Sequence, residues 1–232
     1  MTISTRSIGA ERATLAGEVR AEIERMIVDG DLAAGVKLNE LTLSAAMGVS
    51  RGTVREAIRS LADSGLIDLI ANRGAFVHET TLAEVRNLYD LRGAIFSMAC
   101  ASAARRVGEG LEPRLVAALE RNLDKMRKVH VESDTKKYYV LNIEFHDLLM
   151  NGAGNPKAMV IYENLVKGMH LFRQKGLSIS TNIARSIDEH EAICDAVAAA
   201  DPEAAWKAAN AHIVAGFGRY MKIVDQKKQA AL

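Results

Sequence analysis

The chain has 232 residues, 49% hydrophobic and 25% charged, with a formal net charge of +1; this length favours two domains, and this composition excludes a disordered or fibrous chain. No apolar run reaches the about eighteen positions that a membrane span needs, and the opening MTISTRSIGAER lacks the apolar stretch of a signal peptide, so a cytoplasmic protein is expected. Residues 1 to 80 carry nine Lys/Arg against eleven Asp/Glu, a net of −2, so any affinity for nucleic acid must come from where the cations sit.

In chain order, Leu15, Val19, Ile23 and Ile27 recur every four positions and predict one apolar stripe on a helix that closes near Gly30. Asn39 can cap a short helix through about Ala46, Gly48 makes a turn, and Ser50 can cap a second helix to Asp63 or Ser64, where Gly65 ends it. GLIDLI and GAFVHE then read as a two-stranded hairpin turned at Ala71-Asn72-Arg73-Gly74. Helix, helix-turn-helix and hairpin in that order make a winged helix-turn-helix.

Thr81 and Glu84 have capping-box spacing, so a long helix is expected from Leu82. The predicted domains are therefore 1–78, a linker at 79–81, and 82–232. From Leu82 onward the pattern reads as six helices, roughly 82–107, 112–131, 135–151, 156–175, 182–200 and 202–224. Asn155-Pro156 and Asp201-Pro202 mark two of the starts, and Gln226 to Gln229 reads as a frayed tail. The expected fold is mainly α, a winged helix-turn-helix followed by an antiparallel all-α bundle of about six helices. Cys100 and Cys194 stand in alanine-rich helical text and read as small buried thiols.

On the second helix of the turn, Val54, Ala57, Ile58 and Leu61 form the inward stripe, while Arg51, Arg55 and Arg59 are four apart and share one side. Guanidinium groups on one face can follow a groove, and the helix start from Ser50 to Thr53 can anchor a phosphate with backbone N–H groups. Three spaced arginines also fit a solvated surface. The hairpin tip favours DNA, because Arg73 and Gly74 put a cation and a compliant backbone where a wing meets the phosphates or the minor groove. In the helical region Asn142 and His146 share a helix face, and His190 and His212 lie on other helices beside apolar positions. Such histidines either converge on a divalent metal or are hydrogen-bonded separately in the core.

The run GDLAAGVKLNELTLSAAMGVSRGTVREAIRSLADSGLIDLIANRGAFV closely resembles the N-terminal domain of GntR-superfamily regulators. LYDLRGAI, NIEFHDLLMNGAGNP and IDEHEAICDAVAAADPEAAWKAANAHI are similar to the ligand-binding domain of the FadR subfamily, so the likeness covers about residues 12–215. It implies a homodimer on palindromic operator DNA, acting as a repressor of organic-acid or sugar-acid genes and answering to a small carboxylate effector. It also implies a divalent ion of the zinc, nickel or manganese class at Asn142, His146, His190 and His212, weakened because Asn142 stands where the family has an aspartate. Arg92 matches an arginine near the family's ligand pocket, with a surface salt bridge as its alternative; Tyr89 and Arg173, and more weakly Arg185, are further pocket candidates. Ala34 replaces a common proline, Leu41 a DNA-contacting arginine, and Phe96 a frequent glutamate. The rival readings are a metal-dependent helical-bundle enzyme, which leaves residues 39–78 unexplained, and a ligand-free architectural DNA-binding protein.

Overall fold

Polar caps and left-handed glycines set most element boundaries in the computed structural model, which describes residues 14–167, 169, 172–173, 176–177 and 179–229. The chain divides between Thr80 and Thr81 into two units. In the first, Thr14 caps α1 (Leu15–Asp29) by accepting from the Gly17 N–H, and Gly30 closes it at φ 85°. After β1 (Lys37–Leu38), Asn39 accepts from the N–H groups of Leu41 and Thr42 to start α2 (Glu40–Met47), which ends at Gly48 with φ 66°. Ser50 caps α3 (Arg51–Asp63) through the Thr53 N–H.

Val19, Ile23 and Ile27 of α1 join Val54, Ile58 and Leu61 of α3 in one core, whereas Leu15, in the first turn, is 54% exposed. The hairpin is β2 (Ile67–Ile70) and β3 (Gly74–Val77). The two-stranded hairpin forms as expected, and the sheet gains a third strand not read from the sequence, because β1 adds to the outer edge of β3 with Lys37 opposite Phe76 in an antiparallel sheet ordered β1-β3-β2. Two residues are too few to show an alternating pattern.

The second unit opens with the expected capping box, the Glu84 N–H donating to Thr81 Oγ1 at 3.2 Å and the Thr81 N–H to Glu84 Oε2 at 2.7 Å. Its described helices are α4 (Leu82–Gly108), α5 (Leu115–Val131), α6 (Thr135–Gly152), α7 (Pro156–Lys167), α8 (Ser180–Ala198) and α9 (Pro202–Gln229). α4 packs against α6, α7, α8 and α9 and contributes Phe96, Ala99, Cys100, Ala103 and Ala104 to the core, all fully buried.

Three boundaries differ from expectation. α5 starts at Leu115 because residues from Glu112 form a turn first, with the Leu115 N–H donating to the Glu112 carbonyl. α7 runs to Lys167, and the rest of the helix expected through 175 falls partly outside the described residues. Helix α9 includes the segment read as a tail, to Gln229. Where the start of α5 packs on the end of α6, a Cβ on Gly152 would lie 2.5 Å from Leu115 Cδ2, so a larger residue there requires the Leu115 side chain to shift. Both cysteines are free and buried; burial raises both thiols, Cys194 to about 11, which keeps them protonated and inert. No described helix is long and apolar enough to cross a membrane.

Candidate functional site

Two places concentrate polar chemistry, one in each unit. On the first unit, burial of Val54, Ala57, Ile58 and Leu61 turns Arg51, Arg55 and Arg59 outward on one side of α3. Arg55 is held by Glu40, the first residue of α2: Nε donates to Oε1 at 3.0 Å and Nη2 to Oε2 at 2.7 Å. The Thr53 N–H is consumed by the Ser50 cap and its hydroxyl lies 2.8 Å from Ser50 Oγ, so the N–H groups left at this helix start are those of Arg51 and Gly52. Leu41 is 62% exposed.

At the wing tip Asn72 and Gly74 take φ values of 60° and 107°, and the Arg73 guanidinium lies 5.6 Å from the centre of the Phe76 ring. Lys37 of β1 approaches the same ring at 5.9 Å, and a Cβ on Gly74 would lie 3.2 Å from its Cε. The wing therefore has two cations, of which the sequence pattern pointed only to Arg73.

In the second unit α6 supplies Asn142 and His146, α8 His190 and α9 His212, all buried, and the candidate ligand atoms of the three histidines lie within 4.8 Å of one another. His146 Nε2 and His212 Nε2 are 3.2 Å apart, and the Tyr162 hydroxyl lies 3.2 Å from His146 Nδ1. Both ring nitrogens of His190 and the Asn142 Nδ2 are buried with no hydrogen-bond partner. Burial holds His146 and His190 well below the ordinary histidine value, and the nearby Arg92 adds to the shift. His212 is lowered to about 4, burial outweighing the Glu189 hydrogen bond.

All three rings are therefore neutral near pH 7. His212 Nδ1 meets Glu189 Oε2 at 2.8 Å, which assigns the proton to Nδ1 and leaves an Nε2 lone pair facing the cluster. Glu189 is fixed in turn by two hydrogen bonds from Arg219; burial pushes its carboxyl up, but the His212 and Arg219 bonds outweigh this and leave it lowered. Neutral, converging imidazoles with orphaned lone pairs, one of them backed by a carboxylate, are a donor set that fits a divalent cation.

Beside the histidines lies a cavity of about 20 Å³ lined in part by Tyr89, Arg92, Asn142, Arg173, His212 and Arg219. Arg92 is buried, which excludes the surface salt bridge; its Nε donates to the Tyr162 hydroxyl at 3.2 Å and its Nη2 lies 3.4 Å from both His146 ring nitrogens. Phe96 lies against His146 with ring centres 4.2 Å apart and ring planes tilted by 37°. Arg92 thus has no carboxylate partner among the described residues, and burial lowers its pKa. Arg173 is buried with Nη2 unpartnered, while Arg185 is exposed and does not line the cavity.

The sequence reading missed Glu189, Arg219, Ser186 and Tyr162. The signal for Arg219 was its spacing, seven residues and two turns after His212 on the same face; for Glu189 it was adjacency to His190.

The chain matches "Bacterial regulatory proteins, gntR family" over residues 15–77 and the FCD domain over residues 87–215. It is 30% identical to the HTH-type transcriptional repressor RspR of Escherichia coli K12, covering 82% of each chain. It is 27% identical to the gluconate operon transcriptional repressor of Bacillus licheniformis, covering 79% of this chain and 73% of that one. Among solved structures, E. coli McbR/YncC aligns with a TM-score of 0.68 at 20% identity, over 94% of this chain and 100% of the other, a likeness of fold.

Proposed function

Because the chain belongs to the GntR family of bacterial regulatory proteins and carries an FCD domain, we propose that this DNA-binding regulator is a homodimeric repressor released or tightened by a small carboxylate. The family consists of transcription regulators, not enzymes. Two copies set two α3 helices into major grooves of a palindromic operator, about one helical turn apart. Arg51, Arg55 and Arg59 face the groove, Thr53 and the helix start meet a phosphate, and Arg73, Gly74 and Lys37 lie along the flanking backbone or minor groove. Leu91 and Met98, seven residues apart on one side of α4, are apolar and outward, which supports pairing of copies through that side.

The observation that carries the sensing half is a charge imbalance. Arg92, Arg173 and Arg219 are buried around one cavity, and Glu189 is the carboxylate that pairs with one of them. A buried cation without a counter-charge is costly until an anion enters. Arg92 and Arg173 are the residues to take that anion bidentately. A relative named for a gluconate operon supports sugar acids as the class. A cavity of about 20 Å³ has room for little more than one water, so such a ligand enters only by displacing side chains, and binding is thereby coupled to a change of shape.

His146, His190 and His212, with the Asn142 amide, are the residues that would hold a divalent ion of the zinc, nickel or manganese class. When bound, that ion supplies a Lewis-acid point for a carboxylate oxygen. Asn142 leaves its double charge uncompensated, so metal and effector each strengthen the other's binding by the same factor. The test is calorimetric titration of a panel of sugar acids and hydroxy acids into metal-loaded and chelator-treated protein. The expected result is tighter acid binding with metal, and an Asn142→Asp variant that binds metal more tightly alone and shows weaker coupling. Equal acid affinity in both preparations overturns the metal part, and no binding by any acid overturns the sensing half.

A further inference from the structure

A carboxylate stands in the middle of the cationic face that has to meet DNA. Glu40 lies beside Arg55 and close enough to Arg51 and Arg59 that all three hold its carboxyl below the usual range, the Arg55 hydrogen bond most of all. Against a polyphosphate such a group opposes binding, since each neutralised cation removes part of the electrostatic attraction. What Glu40 provides in return is geometry. Guanidinium has five N–H donors in a planar fork. Glu40 occupies the side of that fork, taking Nε and one N–H of Nη2 at 3.0 and 2.7 Å, and the donors left are at the end, on Nη1 and Nη2.

An end-on pair of donors matches O6 and N7 of a guanine in the major groove. The brace also joins two helices: Glu40 opens α2, whose start is fixed by the Asn39 cap, and Arg55 projects from α3. The Arg55 side chain is therefore oriented before DNA arrives, which removes part of the ordering cost from binding.

We propose that Glu40 is a specificity-determining positioning residue, which presents the end of the Arg55 guanidinium to a guanine in each operator half-site. The inference rests on the docking of α3 proposed above. Another role for Glu40, as an acidic first residue that favours the α2 helix dipole, would change stability but not base preference.

The experiment selects duplexes from a randomised DNA pool with the full-length protein, then measures affinity for the selected duplex and for its single-position variants. The proteins compared are wild type, Arg55→Ala, Glu40→Gln and Glu40→Ala, each with its melting temperature. Arg55→Ala is expected to erase a guanine preference at one position per half-site. Glu40→Ala should lower that same preference about tenfold, and Glu40→Gln less, while both bind random-sequence DNA more tightly. If Arg55→Ala flattens a position that both Glu40 variants still read at full strength, the proposal fails and the docking stands. If Arg55→Ala changes no position, the docking of Arg55 fails and the proposal with it. Equal weakening on all sequences by both Glu40 variants, with lowered melting temperatures, makes Glu40 structural only and also overturns it.

Discussion

The two units place arginine in opposite environments. Arg51, Arg55 and Arg59 are outside, solvated along α3, with one of them braced by Glu40; Arg92, Arg173 and Arg219 are inside, with Glu189 paired to one of them. A solvated cation costs nothing to keep, and its interaction appears when a polyanion displaces counterions, so its effect is steeply dependent on salt. A buried cation is unfavourable until an anion reaches it, and water and salt screen it little once it is paired. Under the proposed function, one side chain would serve a long polyanion in one unit and a small anion in the other, and the difference would be solvent.

The sharpest way to break this comparison is to remove arginines of each kind. Arg219→Ala strips Glu189 of two hydrogen bonds and should cost about 3 kcal/mol in urea denaturation, as breaking a buried pair does. Arg92→Met removes a buried charge that has no carboxylate partner, so it should leave the ligand-free protein equally or more stable while abolishing acid binding. Arg55→Ala should leave the melting temperature unmoved, weaken operator binding and erase the guanine preference at one position per half-site. If Arg92→Met unfolds the protein as readily as Arg219→Ala, the charge in that cavity is already balanced and the comparison fails.

Acid should act on the buried unit next. In metal-free protein His212 has a folded value of about 4 against an ordinary 6.5, so between those values the unfolded chain takes up a proton that the folded chain refuses. Stability is therefore full above about pH 6.5 and falls as the pH drops, by roughly 3 kcal/mol from His212 alone by pH 4. His146 and His190 act in the same direction. Denaturation at a series of pH values should show this slope, and a His212→Gln variant should flatten it.

The smallest expected effect is on the wing. Arg73→Ala should weaken binding to all DNA sequences alike and lower the magnitude of the salt slope by about one, as a phosphate contact does. A loss confined to one base pair would instead make Arg73 a reader of sequence.

What the sequence made legible was local. Asn39, Ser50, Thr81, Asn155 and Asp201 each bond to N–H groups two or three residues on, and each marks a helix start from within one short window. The pattern placed His146, His190 and His212 on separate helices beside apolar positions, but their grouping was implied by the family resemblance, since spacing alone left separately bonded core histidines open. Pairings made only by the tertiary fold were not: Lys37 meets Phe76 across 39 residues, Arg55 meets Glu40 across 15, and Arg219 meets Glu189 across 30. No periodicity encodes which side chain arrives opposite another. Arg92 was ambiguous for the same reason, since an arginine on a helix reads as exposed until the helices around it are known.

The capping box at Thr81 has a mechanical consequence. Arg92 lies eleven residues along α4 from Thr81, about 16 Å at the helical rise, and the stretch LAEVRNLYDLR between them contains neither glycine nor proline. With its first turn tied at Thr81 and no hinge along the way, this part of α4 transmits thrust as a strut. Axial travel of α4 at Arg92, of the kind the proposed effector would impose, would therefore be carried to Thr81 without a hinge to absorb it.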